Sequence, residues 1–255
     1  MNVLVISDLH LGNGDRFGTF DWSADDFILL LKDVMDRHRI DQLVLNGDIF
    51  ELYKYTFKEA YRKNKQLIKF FKSVNAIFIK GNHDFISPMG KFYHLITNSS
   101  GKKIYIEHGH EADFLNGTRV GRFIGYSLHM LLKRIVRYKW VERIYFDTIV
   151  TLEDVNKVPR KYNTYKYLKY ALKLLRTYDV VIMSHTHKVE NHSTYYLSSK
   201  KQYCNTGSCT LGRFQAAIID TESLTCETLK YSKKDCKQMV ASLRNDLQKK
   251  MRRIA

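Results

Sequence analysis

The chain has 255 residues, 44% hydrophobic and 27% charged, the composition of an ordinary soluble globular protein long enough for a substantial core. No run of 18 uncharged apolar residues exists to span a membrane, and the apolar N-terminus meets Asp8 too early to be a signal peptide. The formal charge of +16 is localised: residues 112–178 hold 14 Lys/Arg against 5 Asp/Glu, residues 230–255 hold 9 against 2, and the remainder is balanced. Such patches concentrate anionic partners. The four cysteines, Cys204, Cys209, Cys226 and Cys236, show neither CxxC pairing nor disulfide-rich density, so a reducing cytoplasm is the expected compartment.

In chain order, Val3–Ile6 reads as a short buried strand. It delivers Asp8 and His10, two positions apart and so on one side of an extended chain, followed by Gly12 and Asn13. Ser23–Arg39 reads as a helix with Ser23 as N-cap and Phe27, Leu30, Leu31 and Val34 on one face. Leu43–Leu45 is a second strand, ending in Asn46-Gly47-Asp48-Ile49-Phe50-Glu51. Residues 57–73 read as one helix, and Ala76–Ile79 as a third strand opening into Lys80-Gly81-Asn82-His83-Asp84. Strand, helix, strand, helix, strand is a βαβαβ unit with a parallel sheet.

Ile104–Ile106 is the next strand and reaches Glu107-His108-Gly109-His110. From 114 to 176 the apolar spacing is helical, without a strand. Val180–Met183 resumes the sheet and ends in Ser184-His185-Thr186-His187, and short strands with tight turns follow. The expectation is one α/β domain over 1–255, with a helical insertion, or lid, at 114–176.

Five strand ends therefore carry Asp, Asn or His after glycine-flanked turns, at Asp8, His10, Asp48, Asn82, His108, His110, His185 and His187. A single histidine at a strand end is usually a surface residue; a recurrence at five has no such structural excuse. Carboxylate, amide and imidazole donors without thiolate suit Mn²⁺, Fe or Zn²⁺ rather than Ca²⁺. An aspartate shared by two ions makes a dinuclear site.

In order, Asp8-x-His10, Gly47-Asp48, Gly81-Asn82-His83-Asp84, His108-Gly and His185-x-His187 resemble the signature of the calcineurin-like metallophosphoesterases across residues 5–187. The resemblance implies a four-layer α/β/β/α sandwich and two divalent ions, Mn²⁺ foremost. By position, one ion takes Asp8, His10, Asp48 and His187, and the other takes Asp48, Asn82, His108 and His185. His83, oriented by Asp84, is then the catalytic group that stabilises the transition state or protonates the leaving oxygen. Ser184 stands where the family usually has Gly.

Ile49-Phe50-Glu51, Lys80 and Asp84 depart from the protein Ser/Thr phosphatase pattern. Asp8-Leu-His-Leu-Gly12 with Gly47-Asp48-Ile-Phe-Glu51 instead resembles the UDP-2,3-diacylglucosamine diphosphatases of the lipid A pathway, which insert a helical lid where 114–176 falls here. That branch has Arg where His83 stands and Asp where His110 stands. The resemblance implies a lipid-linked pyrophosphate substrate, and the apolar spacing and basic charge of 114–176 suit such an amphiphile or peripheral contact with an anionic membrane at its inner face. Asn13, His110, Arg119 and Arg122 are the expected substrate contacts. A DNA-repair-type nuclease is the alternative, since it shares the Asp-x-His-Leu-Gly start and a basic surface suits a phosphate backbone. A scaffold without activity is the third, and retention of every ligand position plus His83 argues against it.

Overall fold

A computed structural model describes residues 1–15, 18–113 and 160–254, together with separate positions between 118 and 144. Its strands form two five-stranded mixed sheets. In the first, β1 (Asn2–Ile6), β2 (Gln42–Asn46) and β3 (Ile77–Ile79) run parallel, as the βαβαβ pattern expects. β9 (Phe214–Asp220) adds antiparallel to β1, and β10 (Cys226–Tyr231) to β9. The second sheet has the order β4-β5-β6-β8-β7. It is built from β4 (Tyr93–Thr97), β5 (Lys103–Glu107), β6 (Val180–Met183), β7 (Val189–Tyr196) and β8 (Ser199–Thr206), with β5, β6 and β8 parallel.

The alternation of side chains sets the layers. On β1, Leu4 and Ile6 enter the helix-side core, where they meet Phe27, Leu30 and Leu31 of α1 (Ala24–Arg37) and Ile68 and Phe71 of α3 (Lys65–Ser73). Val3 and Val5 point the other way, into a second core shared with Ile104, Ile106, Val180 and Ile182 of the opposite sheet. On β6 the remaining side chains, Val181 and Met183, face Tyr167, Ala171 and Leu175 of α4 (Arg160–Leu174) and the turn that follows it. Helix, sheet, sheet and helix are thus the four layers expected. Fully burying one such aliphatic side chain contributes about 1.5–3 kcal/mol, so β1, buried on both faces, is a main stabilising element.

Ser23 caps α1 as expected, accepting from the Asp26 amide. The single helix expected over 57–73 is two, α2 (Phe57–Lys63) and α3, divided at Asn64. The Asn64 side-chain amide donates to the carbonyl of Gly12 at 2.7 Å, so the break fastens the loop after β1. The C-terminal segment, expected only as a basic tail, is the helix α5 (Lys233–Ile254), which seats Cys236 and Val240 in the α1-side core. Cys204 of β8 and Cys226 of β10 lie paired in the inter-sheet core; the sandwich brings them together, which their spacing in sequence does not announce. Among the described residues no helix is long and apolar enough to cross a membrane.

Candidate metal centre

Beneath the site, buried polar groups join strand ends of the two face-packed sheets. Ser7, just past β1, shares a hydrogen bond with Thr206 at the end of β8 (2.7 Å), and Thr206 shares one with Ser184 after β6 (2.9 Å). Asn46 at the end of β2 donates to the Ser184 hydroxyl (2.7 Å) and to the Glu107 carbonyl (2.8 Å). Ser184, unusual in the sequence pattern, thus joins the ends of strands from both sheets through its hydroxyl. Buried polar groups satisfied in this way specify one register.

The expected donors converge above this seam. Asp8 Oδ1 lies 3.0 Å from His187 Nε2 and 3.9 Å from His10 Nε2, and Asp48 Oδ2 lies 3.1 Å from His108 Nε2. Among the described residues, three overlapping groups have ligand atoms within 4.8 Å of one another: Asp8, His10 and His187; His10, Asp48 and His83; and Asp48, His108 and His185. Five of these residues, Asp8, His10, Asp48, His185 and His187, have φ between 49° and 67°. A non-glycine residue there costs of order 1–3 kcal/mol and persists only where its surroundings enforce it. Two glycines make the crowding possible: a Cβ on Gly81 would fall 2.1 Å from Asp48 Oδ1, and one on Gly47 would fall 2.4 Å from the His108 ring.

The donor set fits divalent cations. Asn82 Oδ1 and Asp8 Oδ2 are buried without a hydrogen bond, a costly state for polar oxygens unless a cation satisfies them. His108 gives its Nδ1–H to the Asn46 carbonyl (2.9 Å), which leaves Nε2 facing Asp48. Burial opposes charge on Asp48, but the His108 and His83 imidazoles outweigh it and hold its carboxyl well below the usual range. For His108, burial works downward, yet Asp48 and Asp8 push it up to about 9.

Around His83 the arrangement differs from expectation. Its Nδ1 lies 2.9 Å from Glu51 Oε1, while Glu51 Oε2 lies 3.1 Å from His10 Nδ1 and 3.5 Å from Lys54 Nζ. One buried carboxylate thus orients both rings. Burial would raise its pKa, but His83 and Lys54 hold it well below the carboxylate range. Asp84, expected to orient His83, accepts instead from the backbone amides of Gly81 (2.6 Å), Ile49 (2.8 Å) and Phe50 (3.2 Å), tying the β2 and β3 loops together. Its pKa is pushed up to about 6 by burial and by Asp48. The Tyr53 ring packs 4.4 Å from that of His83. Glu51 stands in the sequence motif without a role, because its geometry depends on the turn after Asp48; Tyr53 and Lys54 carry no sequence signal.

Of the expected substrate contacts, His110 is buried, its ring 5.5 Å from His108 and 6.4 Å from His185. Asn13 sits half-buried in the loop after β1, where its Oδ1 accepts from the Asp15 amide. Arg119 and Arg122 lie outside the described residues, as does most of the insertion before α4.

A two-sheet α/β sandwich with carboxylate, amide and imidazole donors gathered at its strand ends has the form of a hydrolase that works with divalent ions. The chain belongs to the calcineurin-like phosphoesterase family, whose profile matches residues 1–189, and is accordingly a phosphoester hydrolase. Among solved structures it is similar to a dimetal phosphatase from Danio rerio, at 12% identity and a TM-score of 0.48, with 91% of this chain and 99% of that one covered. It is also similar to a hypothetical protein from Pyrococcus horikoshii OT3, at 13% identity and a TM-score of 0.44, with 95% and 93% covered. No curated protein matches the chain.

Proposed function

We propose that the chain is a dinuclear metallophosphoesterase, with Asp8, His10, Asp48 and His187 around one divalent ion and Asp48, Asn82, His108 and His185 around the other. The observation that carries this is Asp48, which is common to two adjoining donor groups and so can bridge two ions. Bound there, the ions activate water and neutralise charge on phosphoryl oxygens; the donor set suits Mn²⁺, with Fe or Zn²⁺ as alternatives. His83 points its Nδ1 at Glu51, which fixes the ring beside Asp48 and His10. In that position it stabilises the transition state or protonates the leaving group.

For the substrate, the reading is a nucleotide-linked amphiphile carrying a pyrophosphate, hydrolysed near an anionic membrane surface. It is supported by a groove of about 830 Å³ between α4 and β7, lined by Tyr165, Tyr170, Tyr195 and Tyr196 together with Lys169, Lys173 and Arg176. Aromatic and leucine surface beside cations suits a ligand with both apolar and phosphate parts. The same cations keep a nuclease as the second reading, since tyrosines and basic residues also bind single-stranded nucleic acid. The test compares wild type with Asp48→Asn, counting bound Mn²⁺ and assaying a UDP-acylated sugar, single-stranded DNA and a small diester. Wild type should hold two ions, and Asp48→Asn should lose at least one and lower kcat by about 10²–10³. A wild-type count never above one ion in excess Mn²⁺ would refute the dinuclear reading, and preferential DNA cleavage would select the nuclease.

A further inference from the structure

Among the described residues, helix α4 is linked to the metal centre by Asp113, a residue outside every expected ligand group. Its Oδ2 lies 3.0 Å from Nε2 of His185, and its Oδ1 forms an ion pair with Lys166 of α4. The neighbouring Tyr167 sets its ring 5.7 Å from that of His185, edge toward face. A carboxylate offers acceptors only, so Nε2 carries the proton and donates it to Asp113; the neutral ring then keeps its lone pair on Nδ1. His185 adjoins Asp48 and His108 in one donor group.

From this chain of contacts we infer that Asp113 is a positioning residue for the second metal ion, selecting the His185 tautomer that ligates, and that Lys166 keeps Asp113 in place. The inference rests on the dinuclear reading above. A carboxylate behind a ligating imidazole fixes its orientation and raises its basicity, and removing such a partner weakens metal binding by about 10–100-fold. Asp113 thereby makes α4 part of the metal centre, where helix packing alone would need only Tyr167, Ala171 and Leu175.

The experiment titrates Mn²⁺ alone into metal-free wild type, Asp113→Ala, Asp113→Asn, Lys166→Met and His185→Ala, followed by calorimetry, with the melting temperature of each metal-free protein alongside. Asp113→Ala should weaken one ion by about 10–100-fold and leave the other unchanged. Asp113→Asn, which keeps an acceptor without the charge, should fall between it and wild type, and Lys166→Met should weaken the same ion less. Should Asp113→Ala fail to fold, the Asn and Met variants carry the comparison. His185→Ala losing one ion while the Asp113 variants bind both like wild type would overturn the inference alone. His185→Ala binding both ions like wild type would remove the ligand reading beneath it, and the inference with it. A uniform weakening of both ions that tracks a fall in melting temperature would reduce Asp113 to a packing residue.

Discussion

Asp8, His10, Asp48, His185 and His187 all sit in left-handed backbone, and Asp and His are among the residues that tolerate it best. Their identities are legible in the sequence because each closely follows a buried strand. The use of Glu51 is not legible there, since a motif read along the chain cannot show that one carboxylate faces both His10 and His83. Glu51→Gln keeps the shape and removes the charge, so it should lower kcat by about 10–100-fold without emptying the centre. His83→Ala should retain both ions and lower kcat by about 10²–10⁴. Metal counting beside turnover checks both; an ion lost from His83→Ala would make His83 a ligand, as its grouping with His10 and Asp48 allows.

Strands buried on both faces stand out in the sequence because a short apolar run closed by a polar turn suits little else. Strand β4 does not: it is an edge strand that alternates exposed and half-buried residues, and Tyr93-His-Leu-Ile-Thr97 has little apolar contrast. The assignment of β5 to a second sheet is likewise invisible along the chain, since only its pairing with β4 and β6 decides it. Helix α5 is masked by charge, its buried contacts reduced to residues such as Cys236 and Val240. The joint between β5, β6 and β8 is closed by Asp179, which accepts from the Lys103 amide (2.9 Å) and from Lys201 Nζ (3.0 Å). Burial would raise its pKa, but these two partners lower it below the carboxylate norm. A depressed folded-state pKa means the stabilisation is fully present above about pH 4, the unfolded value, and fades as pH falls through the folded one. Asp179→Asn should therefore cost about 1–3 kcal/mol near neutrality, a drop of several degrees in melting temperature. Melting curves of the two proteins should draw together as the pH is lowered from about 4 toward 2; a constant gap would deny the ionic part of the joint.

At the scale of the molecule, the excess charge falls into two places that the fold treats differently. Part of the C-terminal charge is neutralised, with Arg244 of α5 2.6 Å from Asp26 and Lys233 paired with Asp21. On α4 and the turn after it, Lys169, Lys173 and Arg176 line the groove beside β7. Steering by such exposed cations weakens as salt shortens the screening length. For an anionic substrate, kcat/KM should fall several-fold between about 50 and 300 mM NaCl while kcat holds steady. Steady-state kinetics at a series of salt concentrations would check this, and a flat kcat/KM would leave the basic groove as a solvated face.

The seam under the site also bears on how the chain reaches its native state. Ser7 and Thr206, which meet there, are 199 residues apart in the chain, and the donors above them divide between the ends of both sheets. Closing so long a loop gives no return until both sheets exist. A fragment with only the first sheet holds His10, Asp48 and His83 but lacks His108, His185 and His187, and cations that bind the completed donor set more tightly would latch the finished fold, deepening its stability by RT ln(1 + [M]/Kd) for each ion. The complete set of donors thus comes together only in a chain that has joined both sheets.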